Sequence, residues 1–527
     1  MPIRRRELLK GLSGLAAYAS LPWTPGCADE DGHPGDTTGF SHGIASGDPL
    51  SDAVILWTRF KPEHAGPVTV HWELAEDPEF TNIVMDGALE TSAERDYTVK
   101  VDAHGLEAAA TYYYRFEVDS GFSPIGRTRT APSGSVDRVR FAVVSCASYA
   151  HGYFHAYRAI SKRLDLDAII HLGDYIYEYG TNEYGTVRSY EPSHEALTLE
   201  DYRLRYAQYR RDPDLLAAHQ QFPIIAVWDD HEIANNAWIG GAENHNPDKG
   251  EGPFAARKAA ATRAYFEWMP IREAPDDRLF RQFNYGDLVD LIMLDTRSWG
   301  RQEQVTGADV PGFNDAQRTL LGADQEQWFS DAMQRSAARW RLLGQQVMVG
   351  PLPTYFNTDD WTGYPAARQR LLQLLGDLSN KDTVVLTGDV HSSWAMNLVL
   401  DASKYDAATG RGAVAVEFIA PGITSPGTDR ASAESLQPML LDVPHVKYVN
   451  LWQRGYMLLD VNTERVHADW YLFDAIEDPD YAVEMFAAAC ATYAGEHCVR
   501  VESKPVEAPA AVAVAAPAPD ERQKHAG

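Results

Sequence analysis

The sequence predicts a layered α/β domain preceded by a small all-β domain of fibronectin- or immunoglobulin-like type. Three observations carry this expectation. At 527 residues the chain exceeds one ordinary domain. Residues 40–133 hold short alternating stretches broken by Gly, Pro and Asp turns. From residue 138 short, largely apolar runs alternate with helical stretches, as expected of strands buried on both faces.

The N-terminus reads as an address. Arg4-Arg5-Arg6-Glu7-Leu8-Leu9-Lys10 precedes a modest apolar run, Gly11 to Leu21, too short to span a bilayer. The paired arginines and the following Leu-Leu-Lys resemble a twin-arginine export signal, here residues 1–27. A periplasmic or extracellular address follows, with Cys27 a candidate for a lipid anchor. That route carries folded proteins, which suits a cofactor loaded before translocation. No other segment reaches about 18 uninterrupted apolar residues, so no transmembrane segment is expected in the mature form.

Residues 28–39 read as a polar linker. The β domain follows through Ala53–Arg59, Val68–Leu74 and Tyr97–Val101, and Leu106 with Thr111–Phe116 suggests a tyrosine corner. Residues 138–480 form the second domain. Its strand candidates are Val139–Val144, Ala168–Leu172, Pro223–Trp228, Leu288–Leu294, Val347–Val349, Thr383–Thr387 and Val414–Ile419, and its helices include Leu199–Gln208 and Asp214–Gln221. Tyr456–Asp460 and Val466–Leu472 read as a closing hairpin. Asp478–Ala494 reads as a helix, with Asp478 as N-cap and Pro479 at the first position. Residues 481–504 would be this C-terminal helix region with a Cys490–Cys498 disulfide, and the Ala/Pro-rich residues 505–527 a disordered tail.

Hydrophobic residues make up 45% of the chain, with 13 Trp and 26 Tyr, enough for large cores. The 47 basic against 75 acidic residues leave a formal charge of −28, so no nucleic-acid-binding surface is expected. An anionic substrate would need a locally positive feature. A bound metal cluster would serve.

The polar clusters sit at strand ends. Val143-Val144-Ser145-Cys146 ends one strand, and Ile169 to Leu172 is followed by Gly173-Asp174-Tyr175-Ile176-Tyr177-Glu178. Ala226-Val227-Trp228-Asp229-Asp230-His231-Glu232 ends a third, and Leu386-Thr387-Gly388-Asp389-Val390-His391 a fourth. In α/β sheets such loops meet at one rim, where ligands bind. Singly, a Gly-Asp turn, a charge run or a buried Cys is unremarkable; four such donor sets together point to a metal site. Thiolate, phenolate and imidazole suit a ferric or other redox-capable ion, whereas carboxylate and amide oxygens suit calcium, manganese or magnesium. The mixture predicts Cys146, Tyr177 and His391 on one ion, oxygen ligands on another, and Asp174 bridging.

These blocks, with Asn235-Asn236, Leu294-Asp295-Thr296-Arg297 and Gly388 to Trp394, resemble the PhoD-type alkaline phosphatases of the metallophosphoesterase superfamily over about residues 40–480. The resemblance implies an α/β/β/α sandwich behind the β domain. It also implies ferric iron at Cys146, Asp174, Tyr177 and His391. Calcium, or manganese or magnesium in its place, would lie at Asp174, Asp389 and a residue of the 229–236 segment, with Asp230 and Asn235 the first choices over Asp229 and Asn236. His231 is similar to a histidine that polarises the leaving group in relatives, and is the candidate general acid. Arg297 and Arg205 are the candidates for phosphate contact, with Arg210 behind them; a structural ion pair is an equal reading of Arg297. The implied activity is hydrolysis of phosphomonoesters or phosphodiesters by metal-activated water or oxo attack, in a monomeric enzyme acting on a small phosphoester, a phospholipid or a nucleotide diester. The alternatives are a phospholipase D-like phosphodiesterase and, from another class, a non-catalytic surface protein with structural calcium.

Overall fold

The apolar runs become parallel strands at the centres of two stacked sheets. The computed structural model describes residues 39–352, 357–378, 381–510 and 513–518; the export signal, Cys27 and nearly all of the linker lie outside the described residues. In the first sheet Arg138–Val144, Ala168–His171 and Pro223–Ala226 run side by side, with Val144, His171 and Ala226 in register. In the second, Val289–Met293, Trp340–Gln345, Asp382–Thr387 and Ala413–Ile419 are likewise parallel. One core joins the facing surfaces: Val143, Ile170 and Ile225 from the first sheet pack with Leu291, Val384 and Phe418 from the second. Helices cover the outsides. Ala323–Arg335 and Pro365–Asp377 bury Phe329, Met333, Leu371 and Leu375 against Leu343 and Val385. Leu199–Tyr209 and Phe254–Trp268 bury their aromatic faces in the core of the first sheet. The layered α/β/β/α expectation holds.

Helix starts follow the local signals. Thr198 and Asp201 close a reciprocal capping box, and Asp212 caps Pro213–Gln221 with Pro213 at the first position. The tyrosine corner is present: Tyr112 Oη accepts from the Glu107 N–H at 2.9 Å.

The N-terminal region departs from a separate domain. Val68–Ala75, Ile83–Thr91 and Thr111–Val118 form their own sheet. Its facing layer, Ile44–Gly47, Ala53–Arg59 and Thr98–His104, belongs to the first sheet, which has ten strands, because Ile44–Gly47 pairs in parallel with Pro223–Ala226. The sandwich forms, with Val54, Leu56, Trp72, Tyr114 and Phe116 at its core, but one of its sheets is shared.

Three C-terminal expectations are corrected. Glu484–Tyr493 is a strand antiparallel to Arg465–Phe473, not part of a helix. The closing hairpin Arg454–Asn462/Arg465–Phe473 leaves an edge with unpaired backbone groups, and pairing them outweighs the helix propensity of its alanines. Cys490 and Cys498 are both free and buried, so the proposed disulfide is absent. The described part of the 505–527 tail is docked rather than disordered: Ala516 is 5% exposed. Val347–Val349 is not a strand either. The strand is Trp340–Gln345, and Val347 and Val349 are buried just beyond it. Apolarity there records packing, which a short run cannot distinguish from pairing.

Candidate metal centre

The four strand-end loops converge. Gly388 approaches Ser145 and Leu172, and Ser145 bridges to Gly422, so the ends of both sheets share one rim. Gly173, at φ +105, is needed for this: a Cβ there would lie 2.5 Å from the Asp229 Cβ, inside contact distance. Cys146, Asp174, Asn236, Asp389 and His391 all hold positive φ between 52 and 58°, a conformation side-chain-bearing residues rarely adopt. Strain of this kind concentrates where geometry serves chemistry.

Donor atoms of Cys146, Asp174 and His391 lie within 4.8 Å of one another; so do those of Asp174, Asp230 and His231, and those of Asp229, Asp230 and Asp389. Asp174 and Asp230 are each shared by two groups, making one continuous site. All these residues are 6% exposed or less. Tyr177 joins the first group, its Oη 2.8 Å from Asp174 Oδ2 and 3.3 Å from His391 Nε2. His391 Nδ1 donates to the Pro426 carbonyl at 3.0 Å, which leaves Nε2 as the ring nitrogen able to bind a cation.

The electrostatics fit a cation. Burial, reinforced by the Asp174 carboxylate, pushes the Cys146 thiol well above its usual range. Burial and then neighbouring carboxylates raise Asp174, and burial raises Asp229 even against Arg297. Asp229 Oδ2 is buried with no hydrogen-bond partner among the described residues. Buried acids this crowded cannot all ionise unaided, and positive charge among them would reverse each shift. Thiol, phenol, imidazole and carboxylate donors on one side, with three carboxylates on the other, fit two ions of different character.

His231 stacks on Tyr177, with ring centroids 4.2 Å apart, and its Nδ1 lies 2.7 Å from Glu178 Oε2. Burial alone would disfavour the imidazolium, but Glu178, Asp230 and Asp174 outweigh it and hold the pKa well above the usual value. Glu178 also accepts from the Asn235 N–H at 2.7 Å and from Asn244 Nδ2 at 2.8 Å. Asn235 turns its side-chain amide toward Glu243, 3.5 Å away, and Asn236 donates its own amide to the same carboxylate.

The two arginines expected at phosphate are both engaged by the protein itself. Arg297 is fully buried and spreads its guanidinium over Asp229, Asp359 (2.8 Å), Asp389 (3.0 Å) and Asp230 (3.6 Å). It neutralises the carboxylates from behind, as the ion-pair reading has it. Arg205 is spent on the carbonyls of Tyr177, Tyr179, Glu191 and Pro192, where it pins the loop that carries Tyr177. Arg210, also buried, lies over the Trp57 ring.

Other contributors escaped the sequence reading. Glu232, raised by burial to about 7, accepts from the N–H groups of Asp174, Tyr175 and Asp229 and so ties two loops together. Ser425 Oγ lies 2.5 Å from Tyr177 Oη and 2.8 Å from the Cys146 carbonyl. Arg454 is 9% exposed, donates from Nη1 to the Trp452 carbonyl at 2.7 Å beside Gly427, which packs against the His391 carbonyl, makes no ion pair among the described residues, and is lowered by burial to about 10. Glu178 and Glu232 belong to the strand-end segments 173–178 and 226–232, whose acids the converging loops bury. Nothing local marks Ser425 or Arg454.

Two family models match the chain. The one described as PhoD-like phosphatase matches residues 141–470, and the one described as PhoD-like phosphatase, N-terminal domain matches residues 26–132. Alkaline phosphatase D of Bacillus subtilis (strain 168) is 38% identical over 518 residues, covering 92% of this chain and 87% of that protein. The solved structure of PhoD is similar with a TM-score of 0.82 and 36% identity, covering 90% of this chain and 94% of the other.

Proposed function

The chain belongs to the PhoD-like phosphatases and is a phosphoric ester hydrolase; on that premise we propose that it is an exported, metal-dependent enzyme cleaving small phosphoesters at the rim formed by Cys146, Asp174, Tyr177 and His391. The observation that carries this reading is the continuous donor set, in which Asp174 and Asp230 each belong to two groups. Cys146, Asp174, Tyr177 and His391 would hold the ferric ion. Asp174, Asp230 and Asp389, with Asp229, would hold calcium or, in its place, manganese or magnesium. Bound there, such ions supply Lewis-acid charge to phosphoryl oxygens and lower the pKa of water.

The chain's own groups do the rest. Glu178 keeps His231 protonated, and Nε2 is the nitrogen from which the ring can give a proton to the departing alkoxide. Arg297 offsets part of the repulsion among Asp229, Asp230 and Asp389, and a bound cation would supply the rest of the charge that keeps them ionised together. Arg454, which makes no ion pair among the described residues and lies by Gly427 next to the His391 backbone, is the cation we assign, rather than Arg297 or Arg205, to draw the phosphate of an anionic ester toward the first group. Tyr179 and Tyr184, half-buried and packed on each other and on His231, wall the side where a leaving group would depart. The twin-arginine signal supports a periplasmic or extracellular site of action, and no helix among the described residues is long and apolar enough to cross a membrane. Metal analysis with a panel of p-nitrophenyl phosphate, its bis-ester and phosphatidylcholine tests the reading. Turnover of a soluble ester with iron and calcium bound is expected. Choline release alone would favour the phospholipase D-like alternative, and no turnover at full metal occupancy would refute hydrolysis at this site.

A further inference from the structure

After Glu507 the chain to residue 518 holds only Ala, Pro and Val, a composition that favours extended backbone without partners of its own. Here the backbone finds partners on both halves of the molecule. The Val506 N–H donates to Asp469 Oδ2 at 2.9 Å, and Arg138 Nη2 donates to the Glu507 carbonyl at 3.1 Å, both on the outer face of the ten-stranded sheet. Farther on, Tyr113 Oη donates to the Val514 carbonyl at 2.6 Å. Gln221 then grips Ala516 reciprocally: its Oε1 accepts the Ala516 N–H at 3.0 Å and its Nε2 donates to the Ala516 carbonyl at 3.1 Å. Gln220 Nε2 reaches the Pro517 carbonyl at 2.9 Å and the Ile125 carbonyl at 2.8 Å. The Ala516 methyl is buried among Ala75, Phe80, Tyr113 and Ile125.

We propose that the groove between the N-terminal sheet and the end of helix Pro213–Gln221 is a docking site for an extended, small-residue peptide, and that residues 513–518 of this chain are its resident occupant. Recognition is of backbone, by one side-chain amide acting as a strand edge would, with a pocket sized for a methyl group. The occupant fastens the N-terminal sheet to the helix that feeds Pro223–Ala226, and thus to the segment bearing Asp229 and Asp230.

Hydrogen exchange on the full chain tests this. The amides of residues 513–518 should be protected, and Gln221→Ala should speed exchange there at least tenfold. Ala516→Asp should do the same and lower the thermal midpoint, while Ala518→Asp, which adds the same charge at an exposed position, should do neither. Residues 513–518 exchanging at the unstructured rate in the unaltered chain would overturn the proposal, as would identical behaviour of Ala516→Asp and Ala518→Asp. Ester hydrolysis by a chain with an unprotected tail would leave the catalytic reading intact and sink only the docking site.

Discussion

Arg297 is where the site's stability and its metal chemistry meet, and Arg297→Met separates them. The substitution keeps the apolar stem and removes the cation shared by Asp229, Asp230, Asp359 and Asp389, of which Asp359 keeps a second arginine, Arg301, at 2.6 Å. At an effective dielectric of about 20, a unit pair about 4 Å apart is worth ~4 kcal/mol, so the gross loss over four carboxylates is large. Protonation of the abandoned acids relieves much of it. The net destabilisation expected for orphaning buried charges is about 3–5 kcal/mol. Urea unfolding in chelator should show this full loss, with an unchanged denaturant slope. With saturating calcium the loss should shrink, because a cation on Asp229, Asp230 and Asp389 replaces the missing charge and binding to the native state adds stability. A loss below about 1 kcal/mol in chelator, the scale of an exposed ion pair, would refute the argument. So would a loss identical with and without calcium.

Other outcomes follow from single contacts. His231→Gln should lower kcat by about 10²- to 10⁴-fold with metal content unchanged, the range for a lost general acid; metal analysis beside steady-state kinetics checks it. Glu178→Gln should move the alkaline limb of the kcat/KM profile to lower pH, because Glu178 is the main group holding the His231 pKa up. The same pair stabilises the fold fully below the ordinary imidazole value of about 6.5 and progressively less as pH rises through the raised one. Ser425→Ala should leave iron bound but shift the visible absorption of the loaded protein, since the hydroxyl touches the Tyr177 oxygen; an unmoved spectrum would count against that contact. Arg454→Met should raise KM more than it lowers kcat, and the reverse split would exclude a role in attracting phosphate. His171, lowered by burial to about 3, binds a proton in the unfolded chain at a higher pH than in the folded one. Stability should therefore be full above pH ~6.5 and fall by about 1.4 kcal/mol per pH unit toward 3, and His171→Gln should flatten that slope.

The parts legible in the sequence are those with a local cause. Strand-end placement of Cys146, Asp174, Asp230 and Asp389 followed from apolar runs that stop at polar residues, and the helix at Pro213 from its Asp-Pro start. What escaped was set by distant neighbours. Whether Arg297 met phosphate or carboxylate depended on Asp359, 62 positions away. Glu484–Tyr493 is a strand because an edge awaited it, and Cys490 and Cys498 stay apart because the first lies in that strand and the second beside Gly410. Ser425 entered the site by folding back 248 positions onto Tyr177.

The strand Ile44–Gly47 has a practical consequence. Being laid between Ala53–Arg59 and Pro223–Ala226, it leaves no seam at which the molecule can be divided. A fragment beginning near residue 138 would strip the flank from the very strand that leads to Trp228–Glu232, baring its peptide groups to any passing chain. Trimming to a minimal hydrolase should thus yield aggregates rather than a smaller enzyme, and shortened versions will have to be cut from loops instead.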